Sequence, residues 1–259
     1  MPPLKDRVPR LGSLFGAAYD RAFAATIRSW RVVGLLIALV VIVGTLMWRA
    51  FTITLGMSFA TALLAPWSFF ALANAMRVVY DPAFTMDWKK AMKVCVAGLT
   101  VAAGLILIPW LCKLGIDIVL REVDSNTLVA DLTGAAIGIF ICGRLICAPV
   151  LAAQGVPGPK AVIESVRVTS GVHLRSFVLL GLNIAIAYAV IIPIAGALWA
   201  MVYLAAGTGR AYSFAPALDI VGSAAYAFGE MYVVQAFAMS ACMWLKALQE
   251  ARVAETPSS

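Results

Sequence analysis

Six stretches of almost uninterrupted apolar residues follow one another along this chain, at about 32–47, 51–76, 94–112, 128–150, 177–204 and 216–245. Crossing about 30 Å of hydrocarbon takes roughly 20 helical residues, and a helix bonds its own backbone groups where no water is present. These stretches predict an all-α, polytopic membrane protein with six transmembrane helices. Composition agrees: 63% of the 259 residues are apolar, 13% are charged and the mean hydropathy is +0.93, which excludes an ordinary water-soluble domain. The first stretch is short, but Trp30 and Trp48 bracket it as interfacial anchors, with Arg31 and Arg49 able to reach outward. Trp48-Arg49-Ala50-Phe51 lacks a small-x-small cleavage pattern, so a permanent span is expected rather than a signal peptide.

The net charge of +7 is arranged for topology rather than for nucleic acid, because the basic residues fall between the apolar stretches. One side collects Lys5, Arg7, Arg10, Arg21, Arg28, Arg31, Arg77, Lys89, Lys90, Lys93, Arg144, Lys160, Arg167, Arg175, Lys246 and Arg252. The other holds only Arg49, Lys113, Arg121 and Arg210, beside the acidic Asp117, Glu122, Asp124 and Asp131. This imbalance puts both termini in the cytoplasm. The alanine- and arginine-rich composition points to a bacterial plasma (inner) membrane. The expected organisation is a cytoplasmic N-terminal segment at 1–31, a membrane domain at 32–245 and a cytoplasmic tail at 246–259.

Residues 11–27 place Leu11, Leu14, Phe15, Ala18, Tyr19, Ala22, Phe23 and Ile27 on one helical face, with Arg10, Asp20, Arg21 and Arg28 largely elsewhere. Such a helix before a span lies in the headgroup layer, so anionic lipid headgroups are the expected contact. A second, more ragged surface helix is expected at about 159–176 and a shorter one at 82–93. Ile27-Arg28-Ser29-Trp30 leading to Gly34 and Leu174-Arg175-Ser176-Phe177 leading to Gly181 share an offset of 147, suggesting repeated helix hairpins. The candidate membrane-surface contacts are Arg10, Arg21, Arg28, Lys89, Lys90, Lys93, Arg167 and Arg175.

The chemistry-bearing alphabet is small. Cys95, Cys112, Cys142, Cys147 and Cys242 form no C-x-x-C and lie in or at the ends of apolar stretches, which reads as packing. One histidine, His173, offers no metal cluster, and no cofactor is expected. Gly155-Val156-Pro157-Gly158-Pro159-Lys160 resembles a phosphate loop superficially, but its two prolines remove amides, so a turn is expected. Glu230 stands near the middle of the last stretch, with Tyr226, Tyr232 and Gln235 nearby. An ionisable group at such depth is costly and marks a candidate site. Removed from water without a partner, a carboxyl favours its neutral form, which suits either a brace between helices or a proton or cation site. The candidate intramembrane polar site is Glu230, Arg144, Tyr226, Gln235 and Asn183, with Arg144 a possible partner of Glu230. Asn74 and Asp219 are further polar positions, Gly134-x-x-x-Gly138 allows close helix approach, and Pro66, Pro109, Pro149 and Pro193 can break spans locally.

Ala148-Pro149-Val150, Gly155, Ala161, Ser165, Thr169 and Arg175 together resemble the A-P-V…G…A…S…L/V-T run of a broad bacterial multi-spanning family. It includes YciC-type inner-membrane proteins and the membrane domain associated with glycerophosphoryl diester phosphodiesterases. The resemblance implies an N-terminal surface helix, six spans and this run after the fourth. It implies no active site in the membrane part, because the phosphodiesterase activity belongs to a separate soluble domain rich in His and carboxylates.

Three function classes follow. A non-enzymatic subunit, scaffold or assembly factor would bind or organise another membrane component, a membrane protein or a second copy of itself. A transporter or channel for a small solute, proton or lipid would use Glu230. An intramembrane enzyme acting on lipid would need a base and a second polar group at common depth, for which Glu230 with Tyr226 or Arg144 is the only set.

Overall fold

A computed structural model describes residues 8–50, 53–119, 127–207 and 211–253. Lys5, Arg7, Arg121, Glu122, Asp124 and Arg210 lie outside the described residues, as do the side chains of Trp48, Arg49, Pro109, Cys112, Lys113, Asp117, Asp131 and Asp219. The described chain is all-helical: α1 (Leu11–Arg28), α2 (Trp30–Ala50), α3 (Ile53–Val79), α4 (Trp88–Val119), α5 (Thr127–Gly143), α6 (Ala148–Ala153), α7 (Gly158–Val168), α8 (His173–Gly207) and α9 (Ala211–Val253). Among the described residues each apolar stretch falls in helix, the fourth with a break at 144–147. Among the described residues, Thr133–Ala153, His173–Val190 and Ala224–Val253 are long and apolar enough to cross a membrane. A fourth candidate is the bent pair Leu11–Arg28 with Trp30–Val43.

Contacts divide the chain into two compact units, one of Met1–Ala17, Met76–Leu182 and Ser240–Ser259, the other of Ala18–Ala75 and Asn183–Met239. Helices α1, α3, α8 and α9 each supply residues to both units.

In the second unit α3 and α9 run parallel. The buried Trp67 donates from Nε1 to the Met231 carbonyl at 2.7 Å, and four residues on, Gln235 Nε2 donates to the Ala71 carbonyl at 3.1 Å. Both contacts advance by one helical turn in the same direction, which fixes a parallel register. The α1–α2 elbow bends by 78° at Ser29, whose hydroxyl accepts from Asn74 Nδ2 at 3.3 Å.

The first unit is built around a broken helix. After Gly143 the amides of Arg144 and Leu145 turn back to Ile141 and Cys142, the tight i to i+3 pattern that ends an α-helix. Pro149 then suits the first turn of α6, whose Ala148, Val150, Leu151, Ala152 and Ala153 are all buried. Gly155 reverses the chain at φ +103°, a conformation a side chain resists, and α7 starts beyond it. Its buried residues Gly158, Ala161, Ser165 and Val168 repeat at three and four, the stripe of a docked helix. Gly171, at φ +85°, makes the second reversal into α8. The α8 N-terminal turns pack antiparallel on α5: a Cβ at Gly143 would stand 2.8 Å from Phe177 Cα, and one at Gly181 would stand 3.9 Å from Ile139.

Three expectations are corrected. The surface helix at about 159–176 is not continuous: α7 ends at Val168 and α8 begins at His173, because Gly171 turns the chain. Residues 82–93 form no separate helix; 82–87 are turn and coil, and the rest opens α4. Pro66 and Pro193 stand within continuous helices, and only Pro149 accompanies a break. The two proposed repeat copies also differ locally, since Ser29 lies at a bend whereas Ser176 lies inside α8.

Candidate functional site

The five residues expected to form one intramembrane site separate into distinct environments. Arg144 belongs to the first unit; Glu230, Tyr226, Gln235 and Asn183 belong to the second, so neither unit contains the Glu230–Arg144 pair. Tyr226 and Glu230 are one turn apart on α9, and a side-chain hydrogen bond joins them. The other carboxyl oxygen, Oε2, is buried and meets no partner among the described residues. Gln235 is taken up by the α3–α9 seam through its amide nitrogen.

Asn183 belongs to a third group. Tyr19 donates to Asn183 Oδ1 at 3.3 Å and meets the Tyr232 ring edge-on at 5.9 Å, while Phe23 meets the same ring at 6.2 Å. Burial, with Tyr232 adding, pushes the Tyr19 phenol up to about 12. Tyr232 is two residues beyond Glu230, about 200° round the helix, so this cluster faces away from the Tyr226–Glu230 pair. Tyr19, read from periodicity as part of an apolar face, is thus the polar anchor of α1. Ala18, Ala22, Ala25 and Thr26 are buried beside it, whereas Phe23 (54%), Ile27 (49%) and Trp30 (66%) remain exposed. Arg31 lies over the Trp30 ring at 5.7 Å. The helix is docked by one face rather than lying free.

The candidate surface cations also divide. Arg10, Arg21, Arg28 and Lys89 are exposed. Arg167 is exposed and pairs with Glu164 at 3.8 Å, as its i, i+3 spacing allows. Lys90 pairs with Asp87 at 3.8 Å and lies 4.8 Å from the Phe84 ring centre. Lys93 and Arg175 do structural work: Lys93 Nζ donates to the Gly155 carbonyl at 2.6 Å and Arg175 Nη1 to the Val8 carbonyl at 3.4 Å.

Sequence reasoning missed the caps supplied by the end of α9. Lys246 Nζ donates to the Val79 carbonyl at 2.8 Å, at the C-terminus of α3. Arg252 Nη2 donates to the carbonyls of Arg167 and Val168 at 2.9 and 3.1 Å, closing α7. Cations at helix C-termini complement both the free carbonyls and the dipole. The buried Trp244 donates to Ser176 Oγ at 3.0 Å, and Tyr80 donates to the Cys242 carbonyl at 3.3 Å and to Gln249 Oε1 at 3.2 Å. No sequence signal pairs residues between 68 and 169 apart.

The run Ala148 to Arg175 has a structural account residue by residue. Pro149 starts α6, Gly155 turns, Ala161 is fully buried, and Ser165 and Thr169 donate to the Arg144 carbonyl at 2.7 and 3.3 Å. Those hydroxyls satisfy the carbonyl that the helix break strands. Cys142, Cys147 and Cys242 are buried, and among the described residues no group of three His, Cys, Asp or Glu could hold a metal ion. No protein-family model, curated protein or solved structure matches the chain.

Proposed function

We propose that this chain is a six-span bacterial inner-membrane protein with both termini in the cytoplasm, acting without catalysis to bind or organise another membrane component. Spans at α2, α3, α4, α5–α6, α8 and α9 would make α3 and α9 cross in the same direction, and their parallel register fits that alternation. With α2 crossing, the 78° bend at Ser29 would lay α1 close to the membrane plane. The resemblance of the 148–175 run to the YciC-type family belongs to the same reading.

The observation that carries the proposal is the outer side of α1 and its elbow. One face is docked through Tyr19, and Phe23, Ile27 and Trp30 stay exposed beside Arg28 and Arg31. An amphipathic, basic surface at headgroup depth suits anionic lipid and a membrane-protein partner or second copy. The test is extraction into native nanodiscs followed by mass spectrometry of what accompanies the chain. A stoichiometric protein that is lost from Phe23→Ser/Ile27→Ser, with membrane insertion unchanged, supports the reading; a partner set indifferent to those changes refutes it.

The buried, unpartnered Oε2 of Glu230 favours a second reading, a transporter or channel for a small solute, proton or lipid. Flux in proteoliposomes that Glu230→Ala abolishes would establish it over the first.

A further inference from the structure

The guanidinium of Arg144 is incompletely paired. Its Nε is buried and meets no acceptor, and no carboxylate of the described residues lies within ion-pair distance. The backbone around it is, by contrast, fully engaged: its amide bonds back to Ile141 and its carbonyl accepts from Ser165 and Thr169. The residue is therefore held in place by its main chain, while the charged end of its side chain has no counter-ion among the described residues. It sits at the break inside the apolar stretch Thr133–Ala153, where leaving a charge unpaired is expensive. The carboxylate next along α7, Glu164 beside Ser165, is the partner of Arg167. The companion cations are also in use, Arg252 on the end of α7 and Arg175 on Val8. Arg144 as a whole is half-buried rather than sealed in the core.

We propose that Arg144 is a phosphate-binding residue, and that a phosphate-bearing lipid headgroup supplies the missing acceptor. A planar guanidinium matches two phosphate oxygens at once, and the anion that a membrane itself offers is the lipid phosphate. The lipid source rests on the membrane reading above; the chemistry itself, a guanidinium completed by a phosphate group, also admits free inorganic phosphate.

The test uses the full-length protein in dodecyl maltoside, with dihexanoyl phosphatidylglycerol or inorganic phosphate as probe. Native mass spectrometry counts retained phosphatidylglycerol, and Arg144→Gln is expected to hold it about 10-fold to 100-fold more weakly than wild type. Because that variant can fail to fold, phenylglyoxal modification of wild-type arginines is read by peptide mass spectrometry, with the exposed Arg10 as internal reference. Protection of Arg144 by phosphatidylglycerol but not by inorganic phosphate identifies the headgroup. Protection by both identifies a general phosphate site. Reactivity of Arg144 that neither probe changes, or equal lipid retention by a folded Arg144→Gln, overturns the proposal. These readouts follow one residue in detergent, so they stand or fall separately from the partner experiment in nanodiscs.

Discussion

Gly143→Ala is the smallest change that should separate two helices of this protein. A methyl at Gly143 would meet Phe177 Cα at 2.8 Å, Phe177 N at 2.9 Å and the Ser176 carbonyl carbon at 3.3 Å. The first of these is 0.6 Å inside the 3.4 Å at which ordinary contact begins, and all three neighbours are backbone. No rotamer can relieve them, so α8 must move off α5 or the break after Gly143 must deform. Overpacking of this kind costs about 1–3 kcal/mol, and the better helix propensity of alanine, at most about 1 kcal/mol here, offsets only part of it. The melting temperature should fall by about 2–4 °C for each kcal/mol lost. Heating in detergent with a fluorogenic maleimide gives the readout, since Cys142, Cys147 and Cys242 are fully buried and react once the fold opens. Gly34→Ala is the control: nothing lies within 4 Å of its Cβ position, so it should melt at or slightly above wild type. The reasoning fails if Gly143→Ala melts no lower than wild type. It fails equally if trimming Phe177 to alanine rescues the variant, because the clash is with the Phe177 main chain.

Three further outcomes follow from the hydrogen bonds. Trp67→Phe removes the extra bond to the Met231 carbonyl, which keeps its helical amide, and should destabilise by about 0.5–1.5 kcal/mol in the same melt. Gln235→Leu also removes the unpartnered Oε1 and should lie within about 1 kcal/mol of wild type. Arg252→Gln uncaps α7, and hydrogen exchange should quicken by about fivefold or more over residues 164–172 while α3 stays protected. Tyr80→Phe tests pH dependence. Burial, with Cys242 and Cys147 adding, pushes the Tyr80 phenol well above its ordinary 10.0, so the folded protein keeps a proton that the unfolded chain gives up. Tyr80's contribution is complete below pH 10 and declines as pH rises from there. Between pH 8 and pH 11 wild type should lose more of its melting temperature than Tyr80→Phe does; equal losses would refute the assignment.

The helices were legible in the sequence because lipid-compatible apolar runs leave few alternatives: the stretches near 32–47 and 177–204 became α2 and α8 with ends a few residues away. The 11–27 periodicity likewise became α1. What the pattern could not carry was the neighbour. Tyr19 fits an apolar face equally well whether that face meets lipid or protein, and only its bond to Asn183 decides for protein. The fourth stretch hid a break, because Gly143-Arg144-Leu145-Ile146 contains no proline and the residues that stabilise the turn, Ser165 and Thr169, come some twenty positions later. The Gly171 reversal was similarly masked by valines on either side that sustain a ragged apolar face. The candidate site was least legible of all: depth along a span groups Glu230, Gln235 and Asn183, whereas helix phase sends them to different surroundings.

The caps at the end of α9 have a bearing on biogenesis. A ribosome makes Val79, Arg167 and Ser176 long before Lys246, Arg252 and Trp244, the residues that bond them. While the chain is being made, the ends of α3 and α7 must take their hydrogen bonds from elsewhere, water above all. They exchange these for lysine and arginine only when the last helix arrives. The C-terminal turns of α9 thus act as a latch that closes only once α9 has been made, and proteolytic loss of those turns would leave the earlier helices in their pre-closure state.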